Sequence, residues 1–224
     1  MSFQQSVLSG LQRELPKLGD KFDAIGMQAY LKDISPFLGV RTPVRRELGK
    51  KLFKTLETPT SEELGRTSRA LWALPYREYK YLACDMIAYF IESADKSFLE
   101  KHIQNLITNK PWWDTVDSLG TAAVSPLTEK FGLVPLMNKW NKSENLWLNR
   151  AAIQHQRGRK RDTDVQLLLK YCHDHSDEHE FFIAKAIGWA LRDLAAWNRP
   201  AVSKFLAERP DLDRVAVREA RRHE

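Results

Sequence analysis

Apolar residues recur along this chain at intervals of three and four, with charged residues between them, and no convincing stretch alternates as a strand would. The pattern predicts helices throughout. The first, about Phe3 to Leu15, ends before Pro16, and the second, Phe22 to Ile34, follows the Gly19-Asp20 turn and stops before Pro36. Thr42 as N-cap with Pro43 at the first helical position opens a third. Thr60 with Glu63 makes the capping box of a fourth. Pro75 separates that helix from one over about Tyr76 to Ile91, and Asp95 caps the next, about Lys96 to Asn109. A helix at Trp113 follows, then shorter pieces around Pro126 and Pro135, and then Ser143 caps Glu144 to Gln156. The last helices predicted are Asp164 to Cys172, Glu180 to Ala196, Pro200 to Glu208 and Asp211 to Arg222. Connections are short and no Gly, Ser or Pro-rich linker divides the chain, which predicts a single domain over residues 1–224. The chain stops soon after Arg222 and His223, which leaves little room for a tail.

A weak internal period organises these helices. Tyr79, Trp113, Trp147 and Phe182 are spaced by 34, 34 and 35 residues, each near the start of a predicted helix. The segments Y-K-Y-L-A-C, W-D-T-V-D-S, W-L-N-R-A-A and F-I-A-K-A-I overlay without a gap. Such a period suits stacked antiparallel helical hairpins, an α-solenoid of the HEAT, armadillo or tetratricopeptide kind, with a shared core and a concave face. Four residues after the aromatic, three units carry Ala83, Ala151 and Ala186, and one carries Asp117. One position earlier stand Leu82, Val116, Arg150 and Lys185, so cations adjoin the site of that carboxylate in the two following units.

Asp114 suits the exposed N–H groups of a helix start, whereas Asp117 has no such reason to be there. Trp113 and Asp117, four apart, share a helix face, and an Asp beside an indole is a poor way to build a plain core. For Asp117 two arrangements stay open: facing a groove, or paired locally with a backbone group or an arginine. Composition adds a direction. With 35 Lys and Arg against 29 Asp and Glu the net charge is +6, which favours a polyanionic partner. The 43% of hydrophobic residues supports a sizeable core, yet no apolar run approaches the roughly 18 residues of a membrane span. The N-terminus lacks a basic segment followed by a long apolar stretch, which predicts a cytoplasmic protein. Cys84 and Cys172 lie in apolar helical patterns, as reduced thiols would.

Arg and Lys on a concave surface neutralise phosphates, and tryptophans offer π faces to a cation or a base. A lone carboxylate among them repels DNA unless its target is cationic. Purines alkylated at N3 or N7 are cationic, and loss of such a base leaves an oxocarbenium-like sugar that a fixed carboxylate stabilises.

Three motifs, K-P-W-W-D-T-V-D-S, N-L-W-L-N-R-A-A and K-A-I-G-W-A-L-R-D, together with G-V-R-T-P-V-R-R and L-W-A-L-P-Y-R-E, give the chain a resemblance to the AlkD-type alkylpurine DNA glycosylases of the DNA alkylation repair protein family. The resemblance implies an all-α superhelical array of HEAT-like repeats with a basic concave groove, wrapped around duplex DNA as a monomer. It further implies excision of 3-methyladenine and 7-methylguanine without metal or organic cofactor and without extrusion of the base. Matching positions make Asp117 the catalytic carboxylate, Trp113 and Trp189 its flanking indoles, and Arg150 the grip on a phosphate near the lesion. The same motifs extend the DNA-contacting set to Thr42, Arg46, Ser118, Lys185 and Arg192, and Tyr30 matches the family's aromatic near the N-terminal repeat. Lys160 joins it from the loop R-G-R-K-R, which also carries Arg157, Arg159 and Arg161 and is richer in arginine than the family's pattern.

Two other readings accompany this one: a non-catalytic binder of bent or branched DNA, and an α-solenoid scaffold for another protein. His173, His175 and His179 lie close together but lack a familiar metal-ligand spacing and read as a polar connection between helices. Neither cysteine has a matched histidine to activate it.

Overall fold

A computed structural model describes residues 1–222; every regular element among them is helical. They form two compact units, Met1–Asn109 and Lys110–Glu224, the second described to Arg222, so His223 lies outside the described residues.

The first unit contains α1 (Phe3–Glu14), α2 (Lys21–Tyr30), α3 (Thr42–Phe53), α4 (Ser61–Ala73), α5 (Arg77–Tyr89) and, after a π-turn at Leu99–Ile103, α6 (Gln104–Thr108). Thr60 and Glu63 form the expected capping box of α4. The N-cap of α3 is Arg41, not Thr42; Thr42 and Pro43 are its first two helical residues, and no side chain caps it. Leu11, Leu64, Leu71, Leu82 and Ile87 are fully buried or nearly so and supply the packing. Glu78 ties two motifs of this unit together. Its buried carboxylate accepts the backbone N–H groups of Leu38, Gly39 and Val40, at 2.8 Å for Gly39. Gly39 has φ +83°, and a Cβ there would lie 1.9 Å from the Asp20 carbonyl oxygen, so only glycine fits.

The second unit contains α7 (Trp113–Leu119), a π-turn at Gly120–Val124, α8 (Ser125–Phe131), α9 (Val134–Asn141), α10 (Leu146–Ile153), α11 (Val165–Asp174), α12 (Phe181–Ala207) and α13 (Arg214–Ala220). Asn145 caps α10 in place of the expected Ser143. Its Oδ1 accepts from both Trp147 and Leu148, two orphan donors that one Ser hydroxyl farther back does not reach. The two helices predicted on either side of Asn198 are joined in α12, with Asn198 as a non-helical hinge (φ −147°, ψ 65°) whose Oδ1 accepts from Ala201. Pro200 explains the break: it lacks an N–H for the carbonyl four residues back.

The sequence period reappears as hydrogen bonding between side chains and groups one repeat apart. Tyr171 donates to Asn138 (2.9 Å) and Asn141 to Asp174 (2.8 Å), each 33 residues apart. Lys185 pairs with Glu219 (2.7 Å), and Asp95 N–H donates to Ser61 (3.2 Å), each 34 apart. Equivalent positions of successive repeats therefore face one another, as stacked hairpins require.

Candidate active site

Helix α7 holds Asp117, and the geometry around it starts from Pro126. Proline has no N–H for the Ala122 carbonyl and its ring crowds that carbonyl, so the chain widens into the π-turn at Gly120–Val124 before resuming as α8. The widening follows Asp117 directly. Asp117, Gly120, Thr121, Gln154 and Arg157 are among the residues lining a crevice of about 20 Å³ there.

Asp117 is held by Arg150. The guanidinium Nε donates to Oδ1 at 2.9 Å and Nη2 to Oδ2 at 2.7 Å, a bidentate pair, while Gln154 Nε2 adds a bond to Oδ1 at 3.2 Å. Nη1 of Arg150 donates to the Phe182 carbonyl at 2.5 Å. The cation thus reaches back one repeat to the carboxylate and forward one repeat to the backbone. The Arg150 side chain is 1% exposed and that of Asp117 14%. Of the two arrangements open to Asp117, pairing with an arginine is the observed one, and the carboxylate still lines the crevice. Arg150, matched by resemblance to a phosphate grip, is instead buried beneath the carboxylate with three of its donors committed to the protein.

An aromatic ladder backs this site. Trp112 packs against Phe182 (5.1 Å) and Trp147 (5.9 Å), and those two meet at 5.1 Å. The overlay sets Trp113 in register with Trp147 and Phe182, but the ring in the ladder is that of Trp112. Trp113, the first residue of α7, is partly exposed.

Trp189, on α12, is the meeting point of the cations. The Arg150 and Arg157 guanidinium carbons lie 5.2 and 5.3 Å from its ring centre, and Lys185 and Arg192 both 5.9 Å. Its orientation is fixed from behind by Glu219 of α13, which accepts from Trp189 Nε1 (3.0 Å), Lys185 Nζ (2.7 Å) and Arg192 Nη1 (3.2 Å). Helices α12 and α13 approach so closely that a Cβ on Gly188 would lie 2.6 Å from Glu219 Cβ. The hydrogen bond from Lys185, opposed by burial and aided by Trp189, holds the Glu219 carboxyl below the usual range. A carboxyl lowered on folding stabilises above its unfolded value, near 4.5, and loses that contribution as the pH falls through the lower folded one. Glu219→Gln is therefore expected to flatten the acid side of a plot of melting temperature against pH between 7 and 3.

Other residues singled out from the sequence take these places. Ser118 donates to the Asp114 carbonyl (2.7 Å) beside Asp117. Lys160 is exposed, with φ +56°, in the loop after α10, its ammonium 5.9 Å from the Trp197 ring. Tyr30, Thr42 and Arg46 belong to the first unit, where all three are exposed and Arg46 lies 3.5 Å from Asp85. His175 bonds Glu178 (2.7 Å) and the Asn141 carbonyl (3.0 Å), and His173 contacts Arg209. Cys84 and Cys172 are both buried, and burial pushes the Cys172 thiol far up. Gln154, Glu219 and Trp112 were not legible as site residues by type. Extending the 34-residue period once more, from Lys185, does reach Glu219.

Fold and site together define an all-helical repeat protein with a preformed anion held beside indoles and cations. Residues 11–223 match the family model described as DNA alkylation repair enzyme, and the chain belongs to that family. A solved structure titled as a predicted DNA alkylation repair enzyme from Enterococcus faecalis is 28% identical, with a TM-score of 0.80 over 92% of this chain and 96% of that one. AlkD2 from Streptococcus mutans is 15% identical, with a TM-score of 0.66 over 98% of both chains. The protein smu.31 from Streptococcus mutans UA159 is 16% identical, with a TM-score of 0.61 over 80% of this chain and 90% of that one. These last two share the fold. A comparison with curated proteins finds no match. Family membership supports a role for the chain as an enzyme of DNA alkylation repair, and no described helix is long and apolar enough to cross a membrane.

Proposed function

We propose that the chain is a DNA glycosylase that excises cationic N3- and N7-alkylated purines from duplex DNA, with Asp117 stabilising the positive charge that develops on the deoxyribose. The single observation that carries this reading is the Asp117 carboxylate, pinned in two hydrogen bonds by Arg150 yet still partly exposed and lining a small crevice. An anion fixed before the substrate arrives needs no reorganisation as charge develops, which is the condition for electrostatic stabilisation of a transition state. Arg150 acts as the residue that positions Asp117, a change from the phosphate contact expected by resemblance. Trp113 and Trp189 flank the sugar, Trp189 being fixed by Glu219. Because the alkylated base is already a good leaving group, no strong general acid is required. Phosphate contacts fall to exposed cations, Lys160 among them, with Lys185 and Arg192 contributing charge partly offset by Glu219. Tyr30, Thr42, Arg46 and Ser118 complete the proposed contact set, and the chain acts as a cytoplasmic monomer without metal or organic cofactor.

Dimethyl sulfate-treated duplex, incubated with the protein in chelator, tests this reading. Abasic sites should accumulate with time and with protein concentration. Tight binding without abasic product would instead favour the non-catalytic binder. Weak affinity that hardly changes with salt would favour the protein scaffold, since a DNA groove with several phosphate contacts gives a steep fall of log affinity with log salt.

A further inference from the structure

Beside the Asp117 crevice lies a larger cleft of about 560 Å³, inside the range of roughly 300–1,000 Å³ typical of small-ligand sites. Thr121, Ser125 and Arg157 line both, so the two spaces adjoin. Trp197, which directly precedes the Asn198 hinge of α12, also lines the cleft and is 46% exposed. Arg157, Lys160 and Arg161, also in the wall, are exposed and form no ion pair among the described residues. Lys160 and Arg161 lie 5.9 and 5.7 Å from the Trp197 ring centre. The loop carrying these cations is anchored: Gly158 N–H donates to Asp193 (2.9 Å), and Arg159 donates to the Ser125 carbonyl (3.1 Å). Opposed to these four basic residues in the lining are only Glu129 and Asp162.

A half-exposed indole with two exposed cations within 6 Å of its ring centre, in a predominantly basic recess, suits a ligand that is planar and aromatic at one end and anionic at the other. Paired duplex presents base edges in its grooves and keeps base faces stacked. Only an unpaired nucleotide offers both a free face to stack and a phosphate for the cations. We infer that the Trp197 cleft is a subsite for an unpaired nucleotide of the DNA strand, its base on Trp197 and its phosphate held by Arg157, Lys160 and Arg161. The inference rests on the reading of DNA as the partner, and it adds a contact outside the Asp117 crevice.

The test compares full-length wild type, Trp197→Ala, Trp197→Phe and Arg161→Gln on three ligands of equal length: a paired duplex, the same duplex with one bulged nucleotide, and single-stranded oligothymidylate. Affinity is measured by fluorescence anisotropy over a series of salt concentrations. Trp197→Ala should weaken the bulged and single-stranded ligands by roughly five- to a hundredfold, with paired duplex changed less than about twofold. Its slope of log affinity against log salt should equal that of wild type, since no phosphate contact is lost. Trp197→Phe should stay within about threefold of wild type. Arg161→Gln should reduce the slope by about one. Equal affinity of Trp197→Ala and wild type for all three ligands would overturn the subsite, as would an equal loss on paired and unpaired DNA. Displacement of oligothymidylate by an equal nucleotide concentration of dTMP would reassign the cleft to free nucleotides and overturn its assignment to the strand. Failure of wild type to bind any of the DNAs would remove DNA as the partner and the subsite with it, whereas binding with no base excision would leave the subsite standing and remove the glycosylase reading alone.

Discussion

Asp117→Asn is expected to slow excision of N7-methylguanine by roughly a hundredfold or more, since removal of a preorganised electrostatic stabiliser costs about 2.7–4 kcal/mol. The lesion's own charge supplies part of the labilisation and sets a ceiling on the loss. Asparagine keeps the size of the side chain and one acceptor for the Arg150 guanidinium, but it sets an amide N–H₂, itself a donor, where the second carboxylate oxygen stood. The comparison is therefore made in single turnover with enzyme in excess, well below the melting temperature of the variant. Equal rates for variant and wild type would remove Asp117 from the chemistry.

Arg150→Ala is expected to destabilise the protein by roughly 3 kcal/mol, at the low end of the range of about 3–5 kcal/mol for breaking a buried pair, because Asp117 keeps some access to water. For a chain of this size that lowers Tm by roughly 6–12 °C. The guanidinium bridges three repeats, from Asp117 to the Phe182 carbonyl and over Trp189, so its loss also leaves the carbonyl and the carboxylate without their main donors. Asp117→Ala with Arg150→Ala should cost less than the sum of the two single changes, by about 0.5–3 kcal/mol in denaturant unfolding. Strict additivity would mean that the pair contributes nothing as a pair. Arg150→Lys should recover little, because an ammonium has no planar fork to meet both carboxylate oxygens.

Much of this arrangement was visible in the order of residues. The 34-residue overlay isolates Asp117 as a carboxylate at a position of small residues, and it puts Arg150 and Lys185 beside that position in the next two repeats. Those neighbours are the residues that pair, Arg150 with Asp117 and Lys185 with Glu219, because equivalent positions of stacked repeats face each other. The direction of the Arg150 side chain was not visible. A cation at a given register serves a groove or a buried acid equally well, and only the packing of Phe182 and Trp189 around it decides. Trp112 and Trp113 were indistinguishable by type, and the entry of the chain into α7 turns the first into the aromatic ladder. The π-turn after Asp117 had one sequence sign, Pro126, which marks a missing donor without saying how the helix adjusts. The caps moved by one or two residues, from Thr42 to Arg41 and from Ser143 to Asn145, where neighbouring residues compete for the same helix end.

Cleavage of the bond between a cationic purine and its sugar is read out most directly as release of free base from a duplex carrying one N7-methylguanine, followed by chromatography in single turnover with chelator present. One abasic site is expected for every molecule of 7-methylguanine freed, at a rate well above that of the duplex alone. Release no faster than from the duplex alone, with the protein folded and bound to the DNA, would contradict the glycosylase reading.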